Sequence, residues 1–352
     1  MPSSAVSAGK AAVVGVGAYA RIRKQFKVPI ADMGGVQEAL GRIATEAYIM
    51  TSAQFLINSM LAKHEQPAVL GAVMKMETTQ RCRNVVNDAM DVMGGSGISR
   101  GPKNLIGNGY MNIPIAVTVE GANILTRTLI IFGQGLNRAH PHLIDIIDSI
   151  EKGDDVKGFG AGVHGFVGHM MSNAVRSVTR AVSRPRKKKV STLVQYYEGQ
   201  LARQSANFAL SSDLALVLGG KLKVEEMLSG RFADAFSSLY LGYACLWYYE
   251  QNQHVEDLHK IMEVAMESLL QKNEVAIQGI ADNFPMGGIG PLIGALTYPT
   301  GRAVYEGPTD KMRTMAANLI TNPTAVRDLL SEGVFVSDSP EDKLKMLTDI
   351  LP

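Results

Sequence analysis

Apolar residues recur every three or four positions along three long stretches near the start of the chain. The stretches run from about Ala5 to Lys24, from about Val36 to Leu61 and from Pro67 to about Val92. This spacing puts the apolar side chains on one face of a helix. Proline is favoured in the first turn of a helix and stops a preceding one, as Pro67 and Pro29 do in this prediction. Three such helices in succession predict a helical bundle.

A glycine-rich run, Met93-Gly94-Gly95-Ser96-Gly97, ends the third periodic stretch, and residues rich in Gly, Asn and Pro continue to about Pro114. The sequence predicts an irregular connection here, and long connections of this kind are usually functional. Glycines let backbone amides approach a ligand closely, as a phosphate or a flavin edge requires. The alternative is a helix C-cap followed by turns. A fourth helix is predicted from near Glu120 to about residues 132–135.

One carboxylate, Glu120, stands in an otherwise apolar segment. Its apolar neighbours on both sides are Ile113, Ile115, Val117, Val119, Ile124, Leu125 and Leu129. Partial burial disfavours the charged form of a carboxylate and makes it a stronger base. The pattern therefore predicts a partly buried general base. The alternative is that Glu120 begins a helix, where the helix dipole favours acidic residues.

The second half of the chain changes in composition. No acidic residue occurs between Asp155 and Glu198, and the basic residues concentrate in Arg184–Lys189. This predicts an exposed basic loop, which is either a solvated connector or a contact with an anionic membrane surface. Nucleic acid is not an expected partner, since no aromatic residues are interleaved with the charges. Helical periodicity resumes over about residues 190–283, and the tail predicts short helices.

The composition limits the class of protein. The chain has 352 residues, 46% of them hydrophobic, and a formal net charge of +2. That length allows two or three domains with a large core. Cys82 and Cys245 lie far apart, as expected of free buried thiols in a reducing compartment. No apolar run reaches the roughly 18 residues of a membrane span, and the first residues lack a signal-peptide pattern, so the expected location is cytoplasmic. No histidine spacing predicts a metal.

Four features resemble the acyl-CoA dehydrogenases, and their order and separations match the family from about Ala5 to Gly135. Thr118-Val-Glu120-Gly121, followed by Arg127, is similar to the segment that carries the family's catalytic base. Asp91-Val-Met-Gly94-Gly95-Ser-Gly97 is similar to its flavin-contacting turn. Arg23-Lys-Gln-Phe26 is similar to the Arg-x-x-Phe that reaches the flavin nucleotide across a subunit interface, with Gln37 as a further partner.

Longer phrases resemble one branch of the family, the bacterial long-chain acyl-CoA dehydrogenases with an extra C-terminal helical domain. These phrases are Ala18-Tyr-Ala-Arg-Ile-Arg-Lys-Gln-Phe26, Val119-Glu-Gly-Ala-Asn-Ile-Leu-Thr126 and Ile130-Ile-Phe-Gly-Gln-Gly135. The resemblance implies an all-α chain: a four-helix-bundle domain over residues 1–150 that carries the base, and a second helical domain over residues 151–352.

The resemblance also implies that an N-terminal helical domain and a middle β domain, which precede this bundle in the family, are not in this chain. The base is then present without most of its cofactor site, and the chain alone is expected to bind flavin poorly. Two positions depart from the family pattern. Ala122 stands where many relatives have a threonine that contacts flavin, and Asp91 stands where glutamine is common.

The implied activity is FAD-dependent dehydrogenation of a fatty acyl-CoA to a trans-2-enoyl-CoA, a step of fatty acid β-oxidation. Glu120 takes the α-proton while the β-hydride moves to flavin, and Gly121 and Arg127 belong to the substrate site. FAD is the cofactor and electron-transfer flavoprotein the acceptor. Assembly is expected as a homo-oligomer or with the missing domains on another chain.

Two other functions remain open from the sequence. One is a non-catalytic helical module for oligomerisation or docking. The other is a helical protein that binds the inner face of the cytoplasmic membrane through Arg184–Lys189.

Overall fold

The computed structural model describes residues 1–136, 140–183, 187, 191–301 and 306–350. Within them almost all regular structure is helical, which confirms the predicted all-α class; the strands are a short antiparallel hairpin of β1, Lys24–Gln25, and β2, Val28–Pro29. Contacts divide the chain into two compact units. The first contains Met1–Asn123, Leu241–Ser268 and Glu306–Pro352, and the second contains Ile124–Tyr240 and Leu269–Tyr305.

Both units take residues from each side of position 150. The predicted division into residues 1–150 and 151–352 is a division along the sequence, and it stays a prediction.

The helices before Glu120 all belong to the first unit. They are α1 Pro2–Ile22, a 3₁₀ turn Ile30–Asp32, α2 Gly34–Ala62, α3 Ala68–Met93, α4 Gly95–Ile98 and α5 Gly107–Thr118. The predicted second and third helices are confirmed as α2 and α3.

The remaining helices follow in chain order. They are α6 Asn123–Leu125, continued by a π-helix Thr126–Leu136, α7 Leu143–Lys152, α8 Val156–Val182, α9 Leu193–Ala215 with a 3₁₀ helix Leu216–Lys223, α10 Glu226–Gln251, α11 Leu258–Asp282, α12 Ile289–Thr297, α13 Asp310–Thr321, α14 Ala325–Ser331 and α15 Lys343–Ile350. The predicted fourth helix is therefore present, but it begins at Asn123, three residues after Glu120.

The end of the first helix differs from the prediction. Helix α1 stops at Ile22, and the backbone of Arg23 is extended (φ −68°, ψ 126°). Phe26 and Lys27 have φ of 50° and 70°, which is the conformation that a two-residue hairpin turn requires. The apolar periodicity therefore extends past the true helix end, because the hairpin pairs residues 24–25 with 28–29.

The predicted irregular connection after Gly94 is wrong over its second half, because α5 is a helix of 12 residues with Pro114 inside it. Asn104 organises the loop before this helix. Its amide nitrogen donates to the carbonyl of Gly97 at 2.7 Å, and its oxygen accepts from the backbone nitrogen of Gly107 at 2.6 Å. The side chain thus binds a free N–H at the helix start, as capping residues do.

Glycines allow close backbone packing inside the first unit. A Cβ at Gly17 in α1 would collide with the carbonyl oxygen of Ile320 in α13, and one at Gly41 in α2 would collide with that of Arg313. Tyr48 is fully buried and donates to the carbonyl of Cys245 at 2.8 Å. The small residues of α1 and α2 are thus explained by packing.

Both cysteines are free and buried, as predicted. Burial raises the pKa of Cys82 and of Cys245 to about 12. The two thiols are therefore protonated at physiological pH.

No individual helix among the described residues combines the length and the hydropathy of a membrane span; the consecutive helices Gly107–Thr118 and Asn123–Gly135 meet that test only as a bent pair, by length and composition.

The second unit has an aromatic centre, in which Phe132 and Phe232 stack with ring centroids 4.1 Å apart. All of the predicted basic loop Arg184–Lys189 except Lys187 lies outside the described residues. The ammonium of Lys187 lies 5.6 Å and 5.5 Å from the ring centroids of Tyr196 and Tyr197.

Candidate active site

Glu120 lies in an exposed turn between α5 and α6. The expectation of a partly buried carboxylate is wrong for this chain, and so is the alternative that Glu120 begins a helix. All of the apolar neighbours except Val119 belong to the two flanking helical segments, and the turn between them faces solvent. Glu120 and Gly121 have φ of 54° and 86°, so both residues adopt the left-handed conformation.

The turn is anchored to α3 by a buried lysine. The ammonium of Lys75 donates to the carbonyl oxygens of Gly121 at 2.6 Å and Val117 at 3.3 Å, and to Oδ1 of Asn123 at 2.8 Å. Only 6% of Lys75 is exposed. Burial lowers the pKa of Lys75, and the nearby carboxylate of Glu120 partly offsets that effect.

Asn123 connects the other end of the turn to α3. Its Nδ2 donates to the hydroxyl of Thr79 at 2.9 Å and to the carbonyl of Met76 at 3.3 Å. The sequence analysis missed both Lys75 and Asn123. The available signal was a lysine on the face of α3 that also carries the buried residues Met74, Thr78 and Thr79.

The predicted substrate residue Arg127 belongs to the second unit and forms a bidentate ion pair there. Its Nε and Nη2 donate to the two carboxylate oxygens of Asp234 at 2.7 Å and 2.5 Å. A Cβ at Gly230 would collide with this guanidinium, which therefore packs closely on α10. The carbonyl of Gly121, the other predicted substrate residue, accepts from Lys75.

The predicted cofactor residues Arg23 and Phe26 lie on the hairpin after α1. Phe26 is at the tip with 90% of its surface exposed. Arg23 is exposed too, and no carboxylate among the described residues pairs with its guanidinium. An exposed aromatic ring and an exposed guanidinium on one hairpin are groups that can contact the base and the phosphates of a dinucleotide.

The predicted glycine turn lies close to the same end of α1. The hydroxyl of Tyr19 donates to the carbonyl of Met93 at 3.3 Å and lies 3.1 Å from the hydroxyl of Ser96. A Cβ at Gly94 or Gly95 would meet only open space, so the turn presents accessible backbone. An open cleft of about 660 Å³ adjoins it, and Asp91 is among the residues that line the cleft.

Chain direction brings these predicted cofactor residues to one end of the bundle. The end of α1, the start of α2 and the end of α3 all lie there, because the three helices run alternately up and down. Gln37 is in the first turns of α2 and accepts from the hydroxyl of Thr314 at 3.2 Å.

Glu120 lies far from that end. Its turn is anchored at Lys75, which precedes Gly94 by about 19 residues of α3, or roughly 28 Å along a helix axis. The structure therefore places the predicted cofactor residues at one end of the bundle and the predicted base of the same chain well away from that end.

A histidine cluster in the second unit was not anticipated from the sequence. Nε2 of His140 and Nδ1 of His169 each lie 3.4 Å from an oxygen of the buried Asp213, and Nδ2 of Asn173 donates to that carboxylate at 2.7 Å. These positions are too far apart in sequence to form a local motif.

The tautomer of His140 argues against a metal ion in this cluster. The backbone N–H of His142 donates to Nδ1 of His140 at 3.2 Å, so neutral His140 carries its proton on Nε2. A metal ion would need a lone pair at that atom. We therefore assign no metal to these residues.

The helical bundle, the glycine turn and the Glu120 turn define an all-α domain of the kind that the sequence motifs predict. Two family descriptions match this chain: "Acyl-CoA dehydrogenase, C-terminal domain" over residues 3–132, and "Acyl-CoA dehydrogenase, C-terminal, bacterial type" over residues 137–351. The chain belongs to the acyl-CoA dehydrogenase family.

Solved structures with a similar fold are acyl-CoA dehydrogenases and oxidases. An acyl-CoA dehydrogenase from Bacillus anthracis, complexed with FAD, has a TM-score of 0.68 at 19% identity over 91% of this chain and 54% of its own. Acyl-CoA oxidase 3 from Yarrowia lipolytica has 0.56 at 12%, over 99% and 52%. Acyl-CoA oxidase 1 from Arabidopsis thaliana has 0.53 at 15%, over 94% and 50%.

At these identities the likeness shows the fold. The chain spans about half the length of these relatives.

Proposed function

We propose that this chain supplies the catalytic base of an FAD-dependent acyl-CoA dehydrogenase, which converts a fatty acyl-CoA to a trans-2-enoyl-CoA in fatty acid β-oxidation. The observation that carries the proposal is the turn at Glu120. Its carboxylate is exposed, its backbone is left-handed, and no acceptor among the described residues binds its backbone N–H. Glu120 therefore offers a carboxylate base and a free backbone N–H donor, and both can reach one bound thioester.

The chemistry needs both groups. The α-proton of a thioester is weakly acidic, so its removal requires stabilisation of the negative charge that develops on the carbonyl oxygen. Glu120 takes the proton, and its backbone N–H donates to that oxygen. One such donor contributes about 3 kcal/mol to transition-state stabilisation. We also propose Gly121 and Arg127 as substrate residues, on the ground of the motif that they share with Glu120. Bound FAD supplies the acceptor for the β-hydride.

The described residues fit a flavin dinucleotide. Phe26 offers a free aromatic face, Arg23 offers a free cation, and the backbone at Gly94 and Gly95 is open. We assign these residues and Gln37 to the nucleotide part of FAD, and we assign no residue of this chain to the flavin ring.

The separation of roughly 28 Å between the Glu120 turn and Gly94 along α3 supports assembly from more than one chain. Each FAD would then take its nucleotide contacts from one subunit and its base from another. We propose a homo-oligomer on this ground, in the cytoplasm, with electron-transfer flavoprotein as the acceptor. Reduction of that protein under anaerobic conditions, with no peroxide formed in air, would distinguish it from an oxidase reaction.

The test follows flavin absorbance in the protein made from its complete reading frame. Wild-type protein is loaded with FAD, desalted and mixed with a long-chain acyl-CoA, which should bleach the flavin. Glu120→Gln should retain FAD but not bleach, because the shape is kept and the base is removed. Glu65→Gln, an exposed glutamate in the loop after α2, is the control. Full turnover by Glu120→Gln would disprove the assignment of the base.

The flavin absorbance spectrum of the 352-residue chain by itself distinguishes a catalytic chain from a non-catalytic helical module. Retained flavin that bleaches identifies a working site within the chain. A colourless chain that still forms a defined oligomer, together with no loss of activity in Glu120→Gln, would favour the non-catalytic helical module.

A second candidate function is docking to an anionic membrane, and helix α8 favours it. This helix exposes one apolar face, formed by Val156, Phe159, Val163, Val167, Met171, Val175 and Val182. It contains no acidic residue and carries Lys157, Arg176 and Arg180. An apolar face flanked by cations is the composition of an interfacial helix.

Sedimentation with vesicles tests this second function. Binding to vesicles with phosphatidylserine, and not to pure phosphatidylcholine, is expected to fall at high salt. Val167→Ser with Met171→Ser should weaken binding, and the exposed pair Val275→Ser with Val224→Ser should not. Equal binding to both kinds of vesicle would exclude an electrostatic contact at the inner face of the cytoplasmic membrane.

A further inference from the structure

We propose that Lys75 is a positioning residue for catalysis, which holds the Glu120 turn in the conformation that presents the carboxylate and the backbone N–H together. The proposal rests on the assignment of Glu120 as the base. Its own evidence is the set of contacts made by the Lys75 ammonium.

Each N–H donor of the Lys75 ammonium has an acceptor. A protonated lysine has three N–H donors, and Lys75 has three acceptors: the carbonyls of Val117 and Gly121 and the side-chain oxygen of Asn123. Val117 is in the last turn of α5, whose free carbonyls favour a cation. The three acceptors lie before, within and after the turn.

Asn123 makes the arrangement rigid. Its oxygen accepts from Lys75, and its nitrogen donates to Thr79 and Met76. Helix α3 therefore holds both ends of the turn through residues that are one helical turn apart. Glu120 itself has no such contact, so its position depends on these two side chains.

The backbone of the turn needs support. Glu120 is a non-glycine residue with φ of 54°, a conformation that side chains other than those of Asn and Asp rarely adopt. A strained conformation persists where surrounding contacts determine it. The hydrogen bond of 2.6 Å from Lys75 to the carbonyl of Gly121 restrains the residue that directly follows Glu120.

Lys75 is not proposed to transfer a proton. Its ammonium is buried and shared among three acceptors, and burial lowers its pKa without removing the need for its charge. Its effect on the reaction goes through the backbone of residues 117–123.

The first test is hydrogen exchange at the amides of residues 116–119, at the C-terminal end of α5, where Val119 donates to the carbonyl of Ile115 at 3.0 Å; exchange is followed by mass spectrometry. Lys75→Met should increase exchange in this segment at least tenfold, whereas Lys75→Arg, which keeps charge and donors, should increase it much less. Lys63→Met removes an exposed lysine at the end of α2 and is the control. Wild-type exchange in Lys75→Met would overturn the proposal.

The second test is kinetic and uses the FAD-loaded enzyme. Lys75→Met should lower kcat at least tenfold with little change in KM, because the acyl-CoA site keeps its other contacts, and Lys75→Arg should recover much of the loss. Unchanged kcat in Lys75→Met would overturn the proposal.

If Lys75→Met fails to fold, Asn123→Ala replaces it, since it removes one acceptor of Lys75 and leaves the charge. Unaltered exchange and kcat in Asn123→Ala would then count against the proposal.

The outcomes separate this proposal from the assignment of the base. If Glu120→Gln keeps full turnover, the base is wrong, but faster exchange at residues 116–119 in Lys75→Met still shows that Lys75 holds the end of α5 that leads into the turn. If Glu120→Gln is inactive and Lys75→Met exchanges and turns over like wild type, the base is right and the positioning role is wrong.

Discussion

Arg127 and Asp234 form a bidentate ion pair, with donor–acceptor distances of 2.7 Å and 2.5 Å and with 37% and 38% of their side chains exposed. Paired hydrogen bonds of this geometry fix the guanidinium plane. The arginine that the motif assigns to the substrate site is thus also a structural residue of the second unit.

A double-mutant cycle should measure this pair. Arg127→Met and Asp234→Asn should each lower the free energy of unfolding by about 1 kcal/mol, with a coupling energy of about 0.5–1 kcal/mol, because partial exposure screens the interaction. Urea denaturation of the two single variants and the double variant gives these values. Additive effects would show that the pair contributes no net stability.

Removal of the exposed aromatic ring at the hairpin tip should weaken flavin binding. Stacking of a base on an aromatic side chain contributes about 1–3 kcal/mol, so Phe26→Ala should raise the Kd for FAD about tenfold or more. Phe335 is exposed to a similar extent, 85% against 90%, and Phe335→Ala is the matched control. Fluorescence titration with FAD measures both, and equal Kd values would remove Phe26 from the nucleotide site.

Alanine substitutions at two glycines should have opposite effects on the free energy of unfolding. Gly17→Ala should destabilise the fold by at least about 1–3 kcal/mol, because its Cβ collides with the backbone of Ile320. Gly71 lies in α3 with open space around it, so Gly71→Ala should stabilise the fold by up to about 1 kcal/mol through helix propensity. Thermal unfolding of both variants checks the signs, and a stable Gly17→Ala would contradict the packing of α1 on α13.

The histidine cluster should make stability depend on pH. Burial lowers the pKa of His140, and the charge of Asp213 only partly offsets this, with His142 and His169 also facing the ring. The unfolded chain therefore binds a proton that the native chain excludes, so stability should fall as the pH drops through about 6.5.

His140→Asn should flatten this dependence by up to about 1.4 kcal/mol per pH unit. His254→Asn, which changes an exposed histidine, should retain the wild-type slope. Midpoints of urea unfolding between pH 5 and 8 measure the difference. A slope that is the same in wild type and His140→Asn would show that His140 is not the responsible group.

Local patterns predicted the long helices well. The limits of α2 and α3 follow the apolar periodicity, since a helix that packs on one face must carry its apolar residues on that face. The pattern was less informative near Gly94. Glycine and proline residues indicated a loop from Gly94 to about Pro114. Part of that stretch is the helix α5 instead, because Asn104 caps its start and the helix packs on α3.

The sequence by itself determined the helical class, the family and the identity of the residues that carry the motifs, because periodicity and short motifs are local properties of the chain. The tertiary structure decided where those residues lie. Glu120 is exposed because most of its apolar neighbours belong to two different helices, and the predicted cofactor residues lie at the same end of the bundle because α1, α2 and α3 alternate in direction. Lys75 approaches the Glu120 turn from more than 40 positions away, and the contact depends on how α3 and α5 pack, which no local pattern encodes.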